Sequence, residues 1–358
     1  MANMNSLGLV LRARLRTKAG QCHLSNGISR CPVRAYSTRT LSSVQIPRWG
    51  ASAMWGASAG LVALLGYSFS SHADCLSNEI PSLTLYQYAT CPYCCKTRAF
   101  LDYYQVPYTV VEVNPLFRKE TKFSEYKKVP FVTGGGVQVN DSTLIVSSVR
   151  SAMVNNGLSI SQALDFYPLV PYTDSKGKTQ EDRANKYFIM FPDGGSDSLS
   201  LAQRREEREW REWVDNKLVH ILPSNIYRTF SESITSFDYI SSVGNFSRFE
   251  RVATKYIGAV SMFLISKKLK KRYHLKEDVR ESLYDACSEW LAAVGDRRFM
   301  GGDSPNLADL AVYGVLSSTE GMGPTFVDVM AHTKIETWYR DVQHCVDKGL
   351  GGNTDKED

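Results

Sequence analysis

Cys91-Pro92-Tyr93-Cys94 is the stretch of this chain whose residue types and spacing point most directly to reactive chemistry. Thiols three residues apart lie on one side of a helical turn, so one can attack an electrophile while the other resolves the product or donates a hydrogen bond. Pro92 suits the first helical position, where its missing N–H costs nothing. Cys91 therefore falls at a helix N-terminus, where unpaired N–H groups and the positive end of the helix dipole lower a thiol pKa that is ordinarily about 8.5. A Cys-x-x-Cys pair is also half of a zinc site, but no second pair at ligand spacing occurs in the chain. Cys95 adds a neighbouring thiol. The rest of the eight cysteines are scattered, which excludes a disulfide scaffold.

The flanking segments read as the elements that would hold this motif. Leu83–Tyr88 has the composition of a strand, and helical spacing from Lys96 to Tyr104 puts Ala99, Phe100, Tyr103 and Tyr104 on one stripe. A strand over Tyr108–Val113 follows, then a predicted helix from about Leu116 to Lys127. Val129-Pro130-Phe131-Val132 leads into a third strand, and the Gly134-Gly135-Gly136 turn into a fourth at Val137–Val139. Asn140-Asp141-Ser142 opens a helix with apolar positions at Leu144, Ile145, Val149, Ala152 and Met153. The order β-α-β-α-β-β-α over residues 80–156 resembles the thioredoxin family, with Cys91 after strand one and Pro130 before strand three, where a cis proline is expected. In the glutathione-binding members, the resemblance implies, the backbone at Val129 pairs with the cysteinyl part of glutathione. Asp141 and Ser142 hold its γ-glutamyl end at a helix N-terminus.

Residues 157–198 read as a linker with some ordered pieces, residues 199–346 as helical throughout, and 347–358 as a disordered tail. Mixed charges over Arg204–Trp213 suggest a solvated face. Phe249–Leu269 is a long, largely apolar helix ending in the basic run Lys267–Arg272, which reads as a solvated helix end or as a contact with acidic lipid. Asn306 and Asp309 form a capping box, so Asp309 is expected to be structural. An α/β thioredoxin-like domain followed by an all-α domain is the glutathione transferase architecture.

At 358 residues there is room for both domains and an amino-terminal extension. The formal charge of +5 comes from that extension: residues 1–73 hold eight Arg and Lys and no Asp or Glu. The remainder is slightly acidic, which leaves a nucleic-acid role without a footprint. Residues 1–48 read as a basic targeting segment, with Arg34-Ala35-Tyr36-Ser37 suited to mitochondrial processing. The uncharged run 49–71 is long enough for a transmembrane anchor, though rich in Gly and Ser.

Longer stretches carry a closer resemblance. Leu85-Tyr86-Gln87-Tyr88-x-Thr90-Cys91-Pro92-x-Cys94, Pro107–Pro115, Lys128-Val129-Pro130, Ser236–Ile240, Leu264–Lys267 and Phe299–Gly302 with Pro305–Leu316 are similar to the type 2 microsomal prostaglandin E synthases over about residues 80–345. This implies an isomerase converting prostaglandin H2 to prostaglandin E2. It implies a homodimer anchored in the Golgi membrane, with a cleaved soluble form in the cytoplasm; the amino-terminal charge alone favours the mitochondrion. Cys91 takes the position of the reactive cysteine, Tyr88 that of its supporting tyrosine and Cys94 that of the second motif cysteine. Glutathione contacts fall on Val129, Pro130, Asp141 and Ser142. Haem is also implied as a cofactor, held non-covalently with the glutathione thiolate on iron and no protein metal ligand. It would divert the substrate to a hydroxy fatty acid and malondialdehyde. Cys95 departs from the many relatives with Ser there. On residue chemistry alone, a glutaredoxin-like thiol–disulfide oxidoreductase and a non-catalytic haem–glutathione-binding membrane protein stand as alternatives.

Overall fold

The computed structural model of the chain describes residues 80–155, 158–173, 177–192, 195 and 199–352. The expected targeting segment 1–48 and the anchor at 49–71 lie outside these. Among the described residues no helix is long and apolar enough to cross a membrane.

Four strands make the first sheet: β1 (Leu83–Gln87), β2 (Tyr108–Glu112), β3 (Phe131–Gly134) and β4 (Val137–Asn140), in the order β2-β1-β3-β4. β1 pairs parallel with β2 and antiparallel with β3, with Leu85 opposite both Val110 and Val132. The parallel pair requires a crossover, supplied by α1 (Pro92–Tyr103). α2 (Ser142–Val154) follows β4. Period-two alternation buries Leu83, Leu85 and Gln87 on one face of β1, beneath Phe100, Ile145 and Val149.

The helix predicted over Leu116–Lys127 is not formed. Only one 3₁₀ turn, Lys119–Thr121, occurs there. The Asn114 carboxamide oxygen accepts from the Leu116 and Phe117 N–H groups at 2.9 and 3.1 Å, and Glu120 accepts from Asn114 N. These side chains satisfy the backbone locally, in competition with a helical ladder, and Arg118 takes a left-handed conformation that ends it. The region expected to be a linker is also more ordered than its composition suggests. It contains α3 (Ile160–Leu164) and an antiparallel hairpin, β5 (Leu169–Thr173) with β6 (Thr179–Arg183). Fully buried Tyr167 pins it to α2, its hydroxyl bonded to Ser151 Oγ at 2.8 Å and to the Phe188 carbonyl at 2.8 Å.

The helical half comprises α4 (Leu201–Trp213), α5 (Val219–Ile226), α6 (Phe230–Val243), α7 (Arg248–Ala253), α8 (Ala259–Arg272), α9 (Val279–Val294), α10 (Leu307–Ser317), α11 (Thr325–His332) and α12 (Ile335–Lys348). π-helical turns at Val214–Leu218 and Thr254–Gly258 join α4 to α5 and α7 to α8 without a break. α4 is not merely solvated: Arg211 is buried and donates to Ser147 Oγ at 2.7 Å, while Glu207 accepts from Leu307 N. Alternating charge there hides two polar anchors whose partners lie 64 and 100 residues away. Asp309 is structural as expected, completing the capping box with Asn306 and accepting from Met300 N, Gly301 N and Trp338 Nε1.

The two halves share one core along α1 and α10. A Cβ at Gly314 would lie 2.5 Å from Lys96 Cα, so only glycine lets these backbones approach. The carboxy terminus is anchored further than expected. α12 runs to Lys348, Gly349 closes it in the left-handed conformation, and Gln105 Nε2 donates to the Gly349 carbonyl at 2.8 Å. Residues 350–352 form a last 3₁₀ turn.

Candidate functional site

Cys91 occupies the N-cap of α1 with Pro92 behind it, only 8% exposed. Its N–H donates to the Tyr88 carbonyl at 3.0 Å, and Cys95 N–H donates to its own carbonyl at 2.9 Å. The turn 88–91 is held on three sides. Glu112 of β2 accepts from Ala89 N at 2.7 Å and from Gln87 Nε2 at 3.2 Å. Arg98, on α1, donates to Gln87 Oε1 at 2.5 Å, to the Ala89 carbonyl at 2.9 Å and to Cys95 Sγ at 3.1 Å. The loop bearing the thiol is thus fixed by residues of β1, β2 and α1.

The five described cysteines carry free thiols, and they titrate differently. Hydrogen bonding from the Cys94 thiol lowers the Cys91 pKa against the opposing effect of burial, aided by the N–H groups of Cys94 and Tyr93 and the Arg98 charge. Burial raises Cys94, Cys95, Cys287 and Cys345. Of the pair, Cys91 thus gives up its proton more readily than Cys94. Alkylation by iodoacetamide is therefore expected to follow a pH profile with its midpoint below the ordinary thiol value of about 8.5. Cys94→Ala should move that midpoint upward; an unmoved profile would show that the helix end alone sets it.

Tyrosines surround this thiol. Tyr88 immediately precedes the turn; burial raises its pKa, partly offset by the charge of Arg118 and a hydrogen bond to it. The Cys91 and Cys94 charges raise the Tyr88 pKa further. Tyr93, Tyr126 and Tyr227 are each raised first by burial, and each also feels the Cys91 charge. All stay protonated near neutral pH and can donate hydrogen bonds.

The second helix N-terminus of this half is that of α2. Asp141, at φ 76°, caps α2 by accepting from Thr143 N at 2.8 Å and Leu144 N at 3.3 Å, both at Oδ1. The Asp141 backbone works to lower the Tyr126 pKa, against burial and the Asp141 charge. Tyr126 feels the charges of Asp141, Cys94 and Cys91 together, which links the residues of the two helix ends electrostatically. Ser142 is buried at the first position of α2. Val129-Pro130 is a cis peptide immediately before β3. The residues picked out from sequence, Cys91, Cys94, Tyr88, Val129, Pro130, Asp141 and Ser142, thus lie on the turn after β1 and at the entries to α1, β3 and α2.

A buried charge cluster joins α1 to α2. Lys96 Nζ donates to Asp215 Oδ1 at 2.5 Å and to Thr143 Oγ1 at 2.8 Å, and Thr143 Oγ1 donates to Asp215 Oδ2 at 2.6 Å. Tyr187 donates to the same carboxylate at 3.2 Å. Burial works to raise the Asp215 pKa, but the Lys96 charge and hydrogen bond, with Thr143 and Arg211, hold it below the ordinary carboxylate value. One carboxylate from the π-turn after α4 thereby ties α1, which carries Cys91, to the first turn of α2. Sequence reasoning missed Lys96, Asp215, Arg98, Glu112 and Arg118. Of these only Arg98, one turn beyond Cys94 on the same helix, carried a local signal.

Residues 85–155 match the glutathione S-transferase N-terminal domain family. A Danio rerio protein named prostaglandin E synthase 2 is 47% identical over 277 residues, which cover 76% of this chain and 73% of that one. Its Mus musculus namesake is 45% identical over 280 residues, covering 76% and 72%. Among solved structures, a glutathione S-transferase I bound with lactoylglutathione aligns over 75% of this chain and 98% of its own, at 14% identity and a TM-score of 0.41.

Proposed function

The chain belongs to the prostaglandin E synthase 2 family, and on that premise we propose that the Cys91 cleft isomerises prostaglandin H2 to prostaglandin E2. The observation that carries this reading is the Cys91 thiol at the start of α1, with Cys94 one turn along the same helix and the tyrosines Tyr93 and Tyr126 feeling its charge. A cyclic endoperoxide has a weak O–O bond, and isomerisation to a hydroxyketone needs a nucleophile, a proton donor and a site for proton loss. The Cys91 thiolate attacks one oxygen, forming S–O as O–O breaks. The other oxygen leaves as an alkoxide and takes a proton from a tyrosine hydroxyl, for which Tyr88 is placed beside the turn. The tyrosinate left behind takes the proton from the carbon bearing the S–O oxygen; the C–H pair becomes the ketone C=O, and the S–O pair leaves with sulfur as the thiolate. No electrons are gained or lost overall.

Glutathione suits the same cleft. Its γ-glutamyl carboxylate matches the N-terminus of α2, its ammonium the Asp141 carboxylate, and its peptide the Val129 backbone before cis Pro130. When bound it supplies a second thiol near Cys91. Haem is expected to take its iron ligand from the glutathione thiolate and so calls on no protein donor cluster. No step here depends on it.

The hydrogen bond between Cys91 and Cys94 also favours a second reading, glutaredoxin-like exchange, in which Cys94 resolves a mixed disulfide on Cys91. Product analysis separates the two. Purified full-length chain with prostaglandin H2, with and without glutathione, is expected to form prostaglandin E2 faster than a protein-free control. Background product together with rapid reduction of a glutathionylated peptide would replace the isomerase reading with the second.

A further inference from the structure

The helix running from Arg248 through the π-turn to Arg272 presents an apolar stripe to solvent that neither the core nor the cleft uses. Phe249 is 91% exposed, and Val252, Tyr256, Val260 and Leu264 are between 45% and 62% exposed. At 3.6 residues per turn, one step of three residues and three steps of four keep all five within an arc of about 120° on one side of the helix. A π-turn at Thr254–Gly258 lies within the stripe. That turn is built in: a Cβ at Gly258 would lie 2.3 Å from the Phe237 ring, so the helix seats there against α6. From Phe249 to Leu264 the stripe spans 16 residues, or roughly 22 Å at 1.5 Å per step.

The charge on this helix says what the stripe faces. Residues 248–272 include eight Lys and Arg and a single acid, Glu250. Glu250 is turned back into the protein, accepting from Ser247 N at 2.7 Å and from Asn114 Nδ2 at 3.1 Å. Lys255 and Lys270 pair with Asp238 and Glu277. The others lie at the two ends: exposed Arg248 and Arg251 before the apolar centre, exposed Lys267, Lys268, Lys271 and Arg272 after it. We propose that this helix is a docking surface for an anionic lipid bilayer, its stripe sinking among the headgroups while the basic ends meet lipid phosphates and carboxylates. An amphipathic helix with aromatic and aliphatic residues on one side and long cations beside them has the composition of an interfacial helix. A second copy of this chain is the poorer occupant, because a two-fold contact through the stripe would set two strongly basic helices against each other. The proposal concerns a face separate from the Cys91 site and does not depend on the isomerase reading.

The test uses the full chain with an environment-sensitive fluorescent amino acid at Phe249 and vesicles of phosphatidylcholine with or without phosphatidylserine. Emission is expected to shift to the blue with the anionic vesicles and to revert at high salt. Val260→Glu with Leu264→Glu, both exposed, should weaken that response at least about tenfold with thermal stability unchanged. A chain that sediments with vesicles while its emission stays unshifted would overturn the proposal. A shift that needs no lipid and grows with protein concentration would also overturn it, assigning the stripe to a second copy.

Discussion

Cys91→Ser should reduce prostaglandin H2 isomerisation to the protein-free rate, a loss of at least about 10³-fold in kcat/KM. The size follows from what the site does for this one sulfur. The helix end, the Cys94 hydrogen bond and the Arg98 charge all stabilise a thiolate. A serine hydroxyl there keeps its proton, because its intrinsic pKa lies far above anything these groups can offset. Cys94→Ala should cost much less in isomerisation, since it removes a donor to the nucleophile and not the nucleophile; in dithiol exchange it would be disabling. Tyr88→Phe should fall between, lowering kcat by about 10²-fold if its hydroxyl protonates the departing oxygen. Measured with and without glutathione, the Cys91→Ser result also identifies the attacking thiol. Background activity under both conditions assigns the attack to Cys91. Activity persisting only with glutathione would assign it to the bound tripeptide, and persistence in both would sink the proposed mechanism.

The thiol motif and its helix were legible because local rules place them. Proline at the first turn, two cysteines one turn apart and an alternating strand before them need no knowledge of distant residues. The capping box at Asn306 and Asp309 was legible for the same reason. The failures share the opposite cause. Leu116–Lys127 has enough helix formers to read as a helix, yet Asn114 and Glu120 take up its backbone groups. Their own partners include Asn245, in the loop between α6 and α7, whose Nδ2 donates to the Glu112 carbonyl and to Glu120 Oε1. Tyr167, Arg211 and Asp215 likewise look like ordinary surface-capable residues until the fold brings Ser147, Ser151, Thr143 and Lys96 against them. Periodicity encodes which face of an element is apolar, and nothing local says which polar residue on that face will find a buried partner.

Lys96→Met should destabilise the chain by about 3–5 kcal/mol, because it leaves the Asp215 carboxylate buried without its cation. Both partners are well sequestered, with side-chain exposures of 5% and 15%, so screening by water does little to soften the loss. The double variant Lys96→Met with Asp215→Leu should recover most of it: the penalty lies in one unpaired charge, and the gap fills with apolar atoms. The pH dependence has a definite sign. Folding lowers the Asp215 pKa, so the pair contributes fully above the unfolded carboxylate value of about 3.9 and is lost as pH falls through the lower folded value. The gap in unfolding free energy between wild type and Lys96→Met, read from urea midpoints, should therefore be widest near neutrality and close in acid. A gap below about 1 kcal/mol at pH 7 would mean that water reaches the pair and that it does not join the halves. The same carboxylate also bonds Thr143 in the first turn of α2, two residues beyond its Asp141 cap. Its loss should thus loosen the glutathione end of the cleft before the thiol end, raising the KM for glutathione while the Cys91 alkylation profile stays in place.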